Sequence, residues 1–137
     1  MKGLPDSDLP LVLRTDFSDE AAWGNICKDI EDHAEELATV EYVSDPEYDG
    51  LSISDLLSLA KRGPFQYALF VVDQKTLTDP EHPILALDLT DEPGRTFRVI
   101  PQEIESVSTN FWLRNMDFHD FADNTDTDGV FRGFPEG

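Results

Sequence analysis

At 137 residues, with 39% hydrophobic and 10% aromatic side chains, the chain has the size and apolar content of one folded domain, which excludes a disordered segment. Its 29 acidic residues against 10 basic ones give a formal net charge of −19, a field that repels nucleic acid, anionic membranes and anionic substrates. The same field attracts cations or a basic protein partner.

The first ten residues hold Pro5, Pro10 and two aspartates, with little to bury, and read as a lead-in arm (1–10) before an acidic domain (11–137). Leu11-Val12-Leu13 starts a short apolar strand that runs into R-T-D-F-S-D. Ser18 is suited to cap a following helix, since its hydroxyl can accept an orphan N–H, while Asp19 and Glu20 suit the positive end of the dipole. Trp23, Ile26, Cys27, Ile30, Ala34 and Leu37 then recur at three- and four-residue spacing, one apolar stripe of an amphipathic helix.

Thr39 to Val43 carries the β-branched and aromatic content of a strand, followed by the loop S-D-P-E-Y-D-G. Ser52 and Asp55 form a capping-box pattern ahead of Leu56, Leu57, Leu59 and Ala60, and Gly63-Pro64 closes that helix. Tyr67 to Val72 is the longest continuous apolar run, which predicts a central strand buried on both faces. Residues 73–83 read as a polar excursion. I-L-A-L-D-L and T-F-R-V-I then predict an antiparallel hairpin across T-D-E-P-G-R.

Pro101 suits the first turn of a short helix with Ile104 and Val107 inward, and N-F-W-L-R-N fits helix, strand or loop. Asp117 is placed to cap a short helix through Phe118, Phe121 and Ala122, and D-T-D-G-V-F-R-G-F closes the chain as a turn and an extended piece packing Phe131 or Phe134. The predicted class is therefore α/β (or α+β), a single-domain mixed sheet with a βαβαβ start, an antiparallel hairpin and short C-terminal helices.

Three aspartates follow the first three strands: Asp16, Asp45 and Asp73. Ligands of open parallel sheets bind outside the carboxyl ends of the strands. Such a trio, with Asp19 or Asp49 beside it, forms either a partner- or ligand-binding crevice or a hard-oxygen site for Mg²⁺. Aspartate is also favoured wherever a strand gives way to a turn or cap, which accounts for the same residues without a ligand.

Arg14, Arg95, Arg98 and Arg132 stand beside strands or turns. They read first as partners in an arginine–carboxylate network and second as an anion site, with Arg95 the one placed in the crevice set. N-T-D-T-D-G at residues 124–129 imitates the start of a calcium loop, but the position of the closing glutamate falls on Pro135, so a turn is expected. Cys27 lies on the apolar stripe as a core thiol, and a single cysteine excludes an internal disulfide and favours a reducing, cytoplasmic setting. His33, His82 and His119 share no ligand spacing. No phosphate loop, nucleophile elbow or zinc-protease motif occurs. No apolar leader or membrane-length run is seen, so no membrane partner is expected.

R-T-D-F-S-D-E-A-A-W, Y-V-S-D-P-E-Y-D-G, F-V-V-D, T-L-T-D-P-E-H-P, D-E-P-G-R-T-F-R-V-I-P and N-M-D-F-H-D-F-A-D together resemble a family of small acidic bacterial proteins known only as a domain of unknown function. The likeness runs from about Leu11 to Phe134 and implies a stand-alone domain without bringing an activity. The closing pattern of two strands and N-x-D-F-x-x-F is also similar to the end of SUKH-type toxin-immunity proteins, while the two βα units at the front depart from it. That second likeness implies an acidic inhibitor matched by charge to a basic toxin enzyme. The two functional readings are thus a non-enzymatic interaction module and, as the alternative, a divalent-metal-dependent hydrolase or phosphotransfer enzyme built on the strand-end aspartates.

Overall fold

The computed structural model describes residues 3–5, 7–33, 40–60, 67–113 and 115–134. Six strands form one mixed sheet: β1 (Leu11–Arg14), β2 (Glu41–Val43), β3 (Ala68–Val72), β4 (Ile84–Asp88), β5 (Thr96–Val99) and β6 (Val130–Phe131). Their order across the sheet is β2-β1-β3-β4-β5-β6. β2, β1 and β3 run parallel, β4 is antiparallel to both its neighbours, and β6 lies parallel to β5. The helices are α1 (Glu20–Asp32), α2 (Ile53–Leu59), α3 (Gln74–Thr78), α4 (Ile104–Leu113) and α5 (Phe118–Ala122).

The expected mixed sheet, its βαβαβ start and its antiparallel hairpin are all present. β3 sits between β1 and β4, and Phe70 at its centre is 0% exposed. Every residue of β1, β3 and β4 is buried, because both faces of the sheet are covered. One row, Val12–Phe70–Ala86–Phe97, faces the core made by Trp23, Ile26 and Ile30 of α1 with Val107 and Phe111 of α4 and Phe118 and Phe121 of α5. The next row, Leu13–Val71–Leu85, faces a second core closed by Leu56 of α2, Tyr48 and Leu4. The Tyr48 hydroxyl donates to the Gly3 carbonyl at 2.7 Å, which ties the lead-in arm to that face.

The chain moves from β1 to β2 in one direction with α1 on one face. It returns across β1 to β3 with α2 on the other. Reversing both direction and face preserves the hand of the crossover, as parallel connections require.

Several local expectations change. The cap of α1 is Asp19, not Ser18: the Asp19 carboxylate accepts from the Ala22 N–H at 3.0 Å, while the Ser18 N–H is held by Asp16. A carboxylate gains more than a hydroxyl from the positive helix end, which favours the shift by one residue. Residues 74–78 form α3 inside the expected excursion, capped by Asp73 and Thr76, with Thr76 and Leu77 buried. The ambiguous 110–113 stretch continues α4, which extends the turn opened at Pro101.

Ser52 and Asp55 form the expected capping box, and the helix after Asp117 is present. Ala34, Leu37, Gly63, Pro64 and the Thr39 start of the second strand lie outside the described residues.

Phe70 touches the core of the larger face with no exposure, so Phe70→Ala should cost about 3–5 kcal/mol. Trp23→Ala on α1 should cost a comparable amount. Urea unfolding followed by tryptophan fluorescence for the first and by circular dichroism for both would check this; a midpoint unchanged in either variant would be inconsistent with the core on that face.

Candidate functional site

The chain leaves β1 toward β2 and leaves β3 toward β4, in opposite directions across the sheet. Diverging loops at such a reversal open a crevice outside the carboxyl ends of the strands. A cavity of about 520 Å³ begins there, at Thr15, Asp73 and Lys75, and runs beside Ser52 and Ile53 of the α2 start over β5 to Thr96, Arg98 and Asp128. Leu51 and Leu56 belong to one wall, and Val71 and Leu85 to the floor.

Asp73 is the strand-end aspartate that lines this cavity. Leu85 pairs with both Val71 and Arg98, so Arg98 extends the floor row Leu13–Val71–Leu85 and its guanidinium reaches back over β4 to Asp73. Nη1 donates to Oδ1 at 2.9 Å and Nη2 to Oδ2 at 2.8 Å, a bidentate pair. Nη1 also donates to the Pro83 carbonyl at 3.0 Å. Asp73 Oδ1 further accepts from the Thr76 N–H and hydroxyl. Burial pushes the Asp73 carboxyl up, but the Arg98 hydrogen bonds and charge, with the Thr76 donors, outweigh it and hold the group below its ordinary value.

Asp16 and Asp45 stand at the same end of the sheet, after adjacent parallel strands. Each is engaged by backbone. Asp16 Oδ1 accepts from the Ser18 N–H at 2.8 Å, and Asp45 Oδ1 accepts from the Glu47 N–H at 3.0 Å, opening a single 3₁₀ turn at residues 46–48. The Gly50 N–H donates to the Thr15 carbonyl at 2.8 Å and binds the two loops together. Its φ of 77° favours glycine.

Asp19, Glu20, Glu47 and Asp49 project from these loops into solvent. Among the described residues the groups whose ligand atoms fall within 4.8 Å of one another are Asp117, His119 and Asp120, not the strand-end trio. The Asp117 N–H donates to the Asp120 carboxylate at 2.8 Å, the closing bond of a helix cap.

Arg95 does not reach the crevice. It sits in the β4–β5 turn, at the opposite end of the sheet from Asp73, where it pairs with Glu92 and Asp123. Arg132 collects Glu81, Asp126 and Asp128, so a guanidinium stands among the oxygens of the calcium-like loop, and its hydrogen bonds hold Glu81 and Asp128 below their ordinary values.

Arg14 is 2% exposed beneath Phe17 and Trp23. It donates to the Asp16 carbonyl and to Ser44 Oγ at 3.3 Å each. Its Nη2 lies 2.8 Å from Glu20 Oε2 but off the hydrogen-bond axis. The four described arginines therefore all stand in the carboxylate network. Cys27 is half-buried and its thiol is pushed up to about 12 by burial and Glu31, which keeps it protonated at neutral pH.

The crevice residues absent from the sequence reading are Thr15, Ser52, Lys75 and, as a site residue, Arg98. Thr15 directly precedes Asp16 at a strand end, and Ser52 was legible only as a cap. Lys75 lies inside the Asp73–Thr76 capping box, a pattern that marks a helix start where a loop was read. The pairing of Arg98 with Leu85 needed the hairpin register, which the six-residue turn leaves open.

Fold and crevice together define an open-sheet α/β domain with its cleft at a reversal of strand order. The chain belongs to the family described as Domain of unknown function (DUF6924), whose model matches residues 9–134. A comparison with curated proteins finds no match. Among the described residues no helix is long and apolar enough to cross a membrane.

Because Asp73 has a lowered folded-state pKa, its contribution is present above the ordinary carboxylate range and is lost as pH falls through the folded value. Asp73→Asn should therefore lower stability at neutral pH and flatten the acid limb of the stability–pH curve. Arg98→Met, which strips the hydrogen bonds from a half-buried carboxylate, should cost about 1.5–3 kcal/mol at neutral pH. Urea midpoints from acid to neutral pH check both; an unchanged acid limb in Asp73→Asn would remove the pair from the stability of the fold.

Proposed function

We propose that the protein is a non-enzymatic interaction module, immunity- or inhibitor-like, whose acidic surface meets a basic protein partner. The observation that carries this reading is how charge is allocated. Arg14, Arg95, Arg98 and Arg132 are spent on the protein's own carboxylates, Glu20 among them, whereas Asp19, Glu47 and Asp49 are exposed beside Asp16 and Asp45 at the carboxyl end of the parallel strands. An exposed rim of one sign speeds encounter with an oppositely charged partner and suppresses wrong ones. The resemblance of the C-terminal segment to SUKH-type immunity proteins points the same way.

The metal-dependent alternative has less support. Asp73 holds Arg98, and Asp16 and Asp45 hold backbone N–H groups, so a cation at the trio would compete with bonds already made.

Affinity capture from the native lysate, followed by stopped-flow association with the purified captured protein, tests the reading. A basic partner is expected, with an association rate that falls at least about tenfold from low to high salt and falls again in Asp19→Asn/Asp49→Asn. Duplex DNA should show no binding at either salt concentration. A salt-insensitive partner would overturn the proposal. So would a saturable Mg²⁺-induced rise in melting temperature that Asp73→Asn abolishes, which would promote the enzyme.

A further inference from the structure

The α2 helix covers only part of its face of the sheet. Leu56 packs with Leu13, Val71 and Leu87 in the second core, while Thr96 and Arg98 of β5 stand half-buried beyond it. The cavity of about 520 Å³ runs along that border, with Val71 and Leu85 as its floor and Leu51 and Ile53 on the α2 side. Ile53 is 38% exposed, and of the large hydrophobic side chains left exposed among the described residues it is the one on this groove. A groove of this size with an apolar floor has room for a large side chain from outside, the kind of anchor that carries most of the binding energy at an interface.

The charges around the groove restrict what presents that side chain. On the lining, Asp73 and Arg98 neutralise each other as a bidentate pair, and Asp128 is held by Arg132. Thr15 and Leu51 also line the groove. Asp16 directly follows the first, and Asp49 stands two residues before the second. The Gly50 N–H bond to the Thr15 carbonyl joins these two segments, so half-buried Asp16 and exposed Asp49 border the groove at its β1 end. Lys75 is exposed on the α3 side and repels a second cation there, which turns a cationic segment toward the carboxylates. An apolar pocket bordered by carboxylates matches an apolar side chain flanked by basic ones. Burial then supplies affinity, and charge supplies encounter and register.

We propose, resting on the basic-partner reading above, that this groove is where the partner is anchored: it receives one large apolar side chain of the basic partner against Leu51, Ile53 and Leu85, presented between lysines or arginines that meet Asp16 and Asp49.

The test is a titration of the ¹⁵N-labelled full chain with three blocked pentapeptides, K-K-F-K-K, K-K-S-K-K and E-E-F-E-E, read as amide shifts. K-K-F-K-K should give saturable shifts that include Thr15, Leu51, Ile53, Leu85 and Thr96. K-K-S-K-K should bind about tenfold more weakly, the loss expected when one buried apolar side chain is removed, and E-E-F-E-E should give no saturable shift there. Ile53→Ser, an exposed change at a helix start, should weaken K-K-F-K-K about threefold and leave K-K-S-K-K unchanged. Asp49→Asn should weaken both basic peptides. The groove is overturned as the anchor, with the basic-partner reading still standing, if K-K-S-K-K binds as tightly as K-K-F-K-K, if the K-K-F-K-K shifts map away from the groove, or if Ile53→Ser leaves its affinity unchanged. Binding of E-E-F-E-E as tight as that of K-K-F-K-K would instead overturn the charge complementarity on which both readings rest.

Discussion

The architecture depends on a central strand that must be buried on both sides. Ala68–Val72 carries no polar side chain, so whichever way it is pleated, half of its residues face each layer. Phe70 and Val72 require one cover, and Leu69 and Val71 another. A single helical layer satisfies only one of these demands. The chain meets both by sending α1 and the C-terminal helices to one face and α2 with the lead-in arm to the other. The 2-1-3 strand order follows once α1 and α2 occupy opposite faces, and the crevice is a geometric product of that order. The place of the crevice is thus set by the need to bury five apolar residues.

The crevice floor shows how the two halves of the sheet are joined. The row Leu13–Val71–Leu85 is apolar until it reaches Arg98, where β5 has less helix above it. An arginine there can lay its methylenes along the sheet and return its head to a carboxylate. Asp73 is that carboxylate, and it is already fixed as the cap of α3. One side chain therefore ends the central strand, starts a helix and anchors the antiparallel half to the parallel half. The strand-end aspartate that lines the crevice is thus also a structural tie.

Much of this was legible in the sequence where periodicity or capping chemistry is strong. The stripe Trp23, Ile26, Ile30, the Ser52–Asp55 box, the apolar run at 68–72 and the hairpin at 84–99 each carry a signal that local physics decides alone. What could not be read depends on register or on competition between near-equal caps. The shift from Ser18 to Asp19 turns on Asp16 taking the Ser18 N–H, a choice between three adjacent acceptors. α3 is five residues long, too short for a period to show, and only its capping box announces it. Arg95 was grouped with the crevice because it sits beside a strand, yet the hairpin register carries it to the far end of the sheet. Three aspartates were rightly placed at one end of the sheet. Whether they converge is a question of side-chain commitments that spacing does not encode.

A net charge of −19 repels itself and works against compaction, so the location of the few cations is informative. Among the described residues they are not spread to neutralise the surface evenly. Arg98 reaches Asp73 across 25 positions, Arg95 reaches Asp123 across 28, and Arg132 reaches Glu81 across 51. Each arginine joins segments distant in sequence, at the points where β5, α5 and the C-terminal strand must be drawn onto the sheet. Such pairs offset repulsion where the fold needs closure and leave it uncorrected elsewhere. Beneath the loops after β1 and β2 the buried Arg14 engages the Asp16 carbonyl, Ser44 and Glu20, and none of the described arginines pairs with Asp19, Glu47 or Asp49. Those three exposed carboxylates are therefore among the ones that the described arginines leave uncompensated.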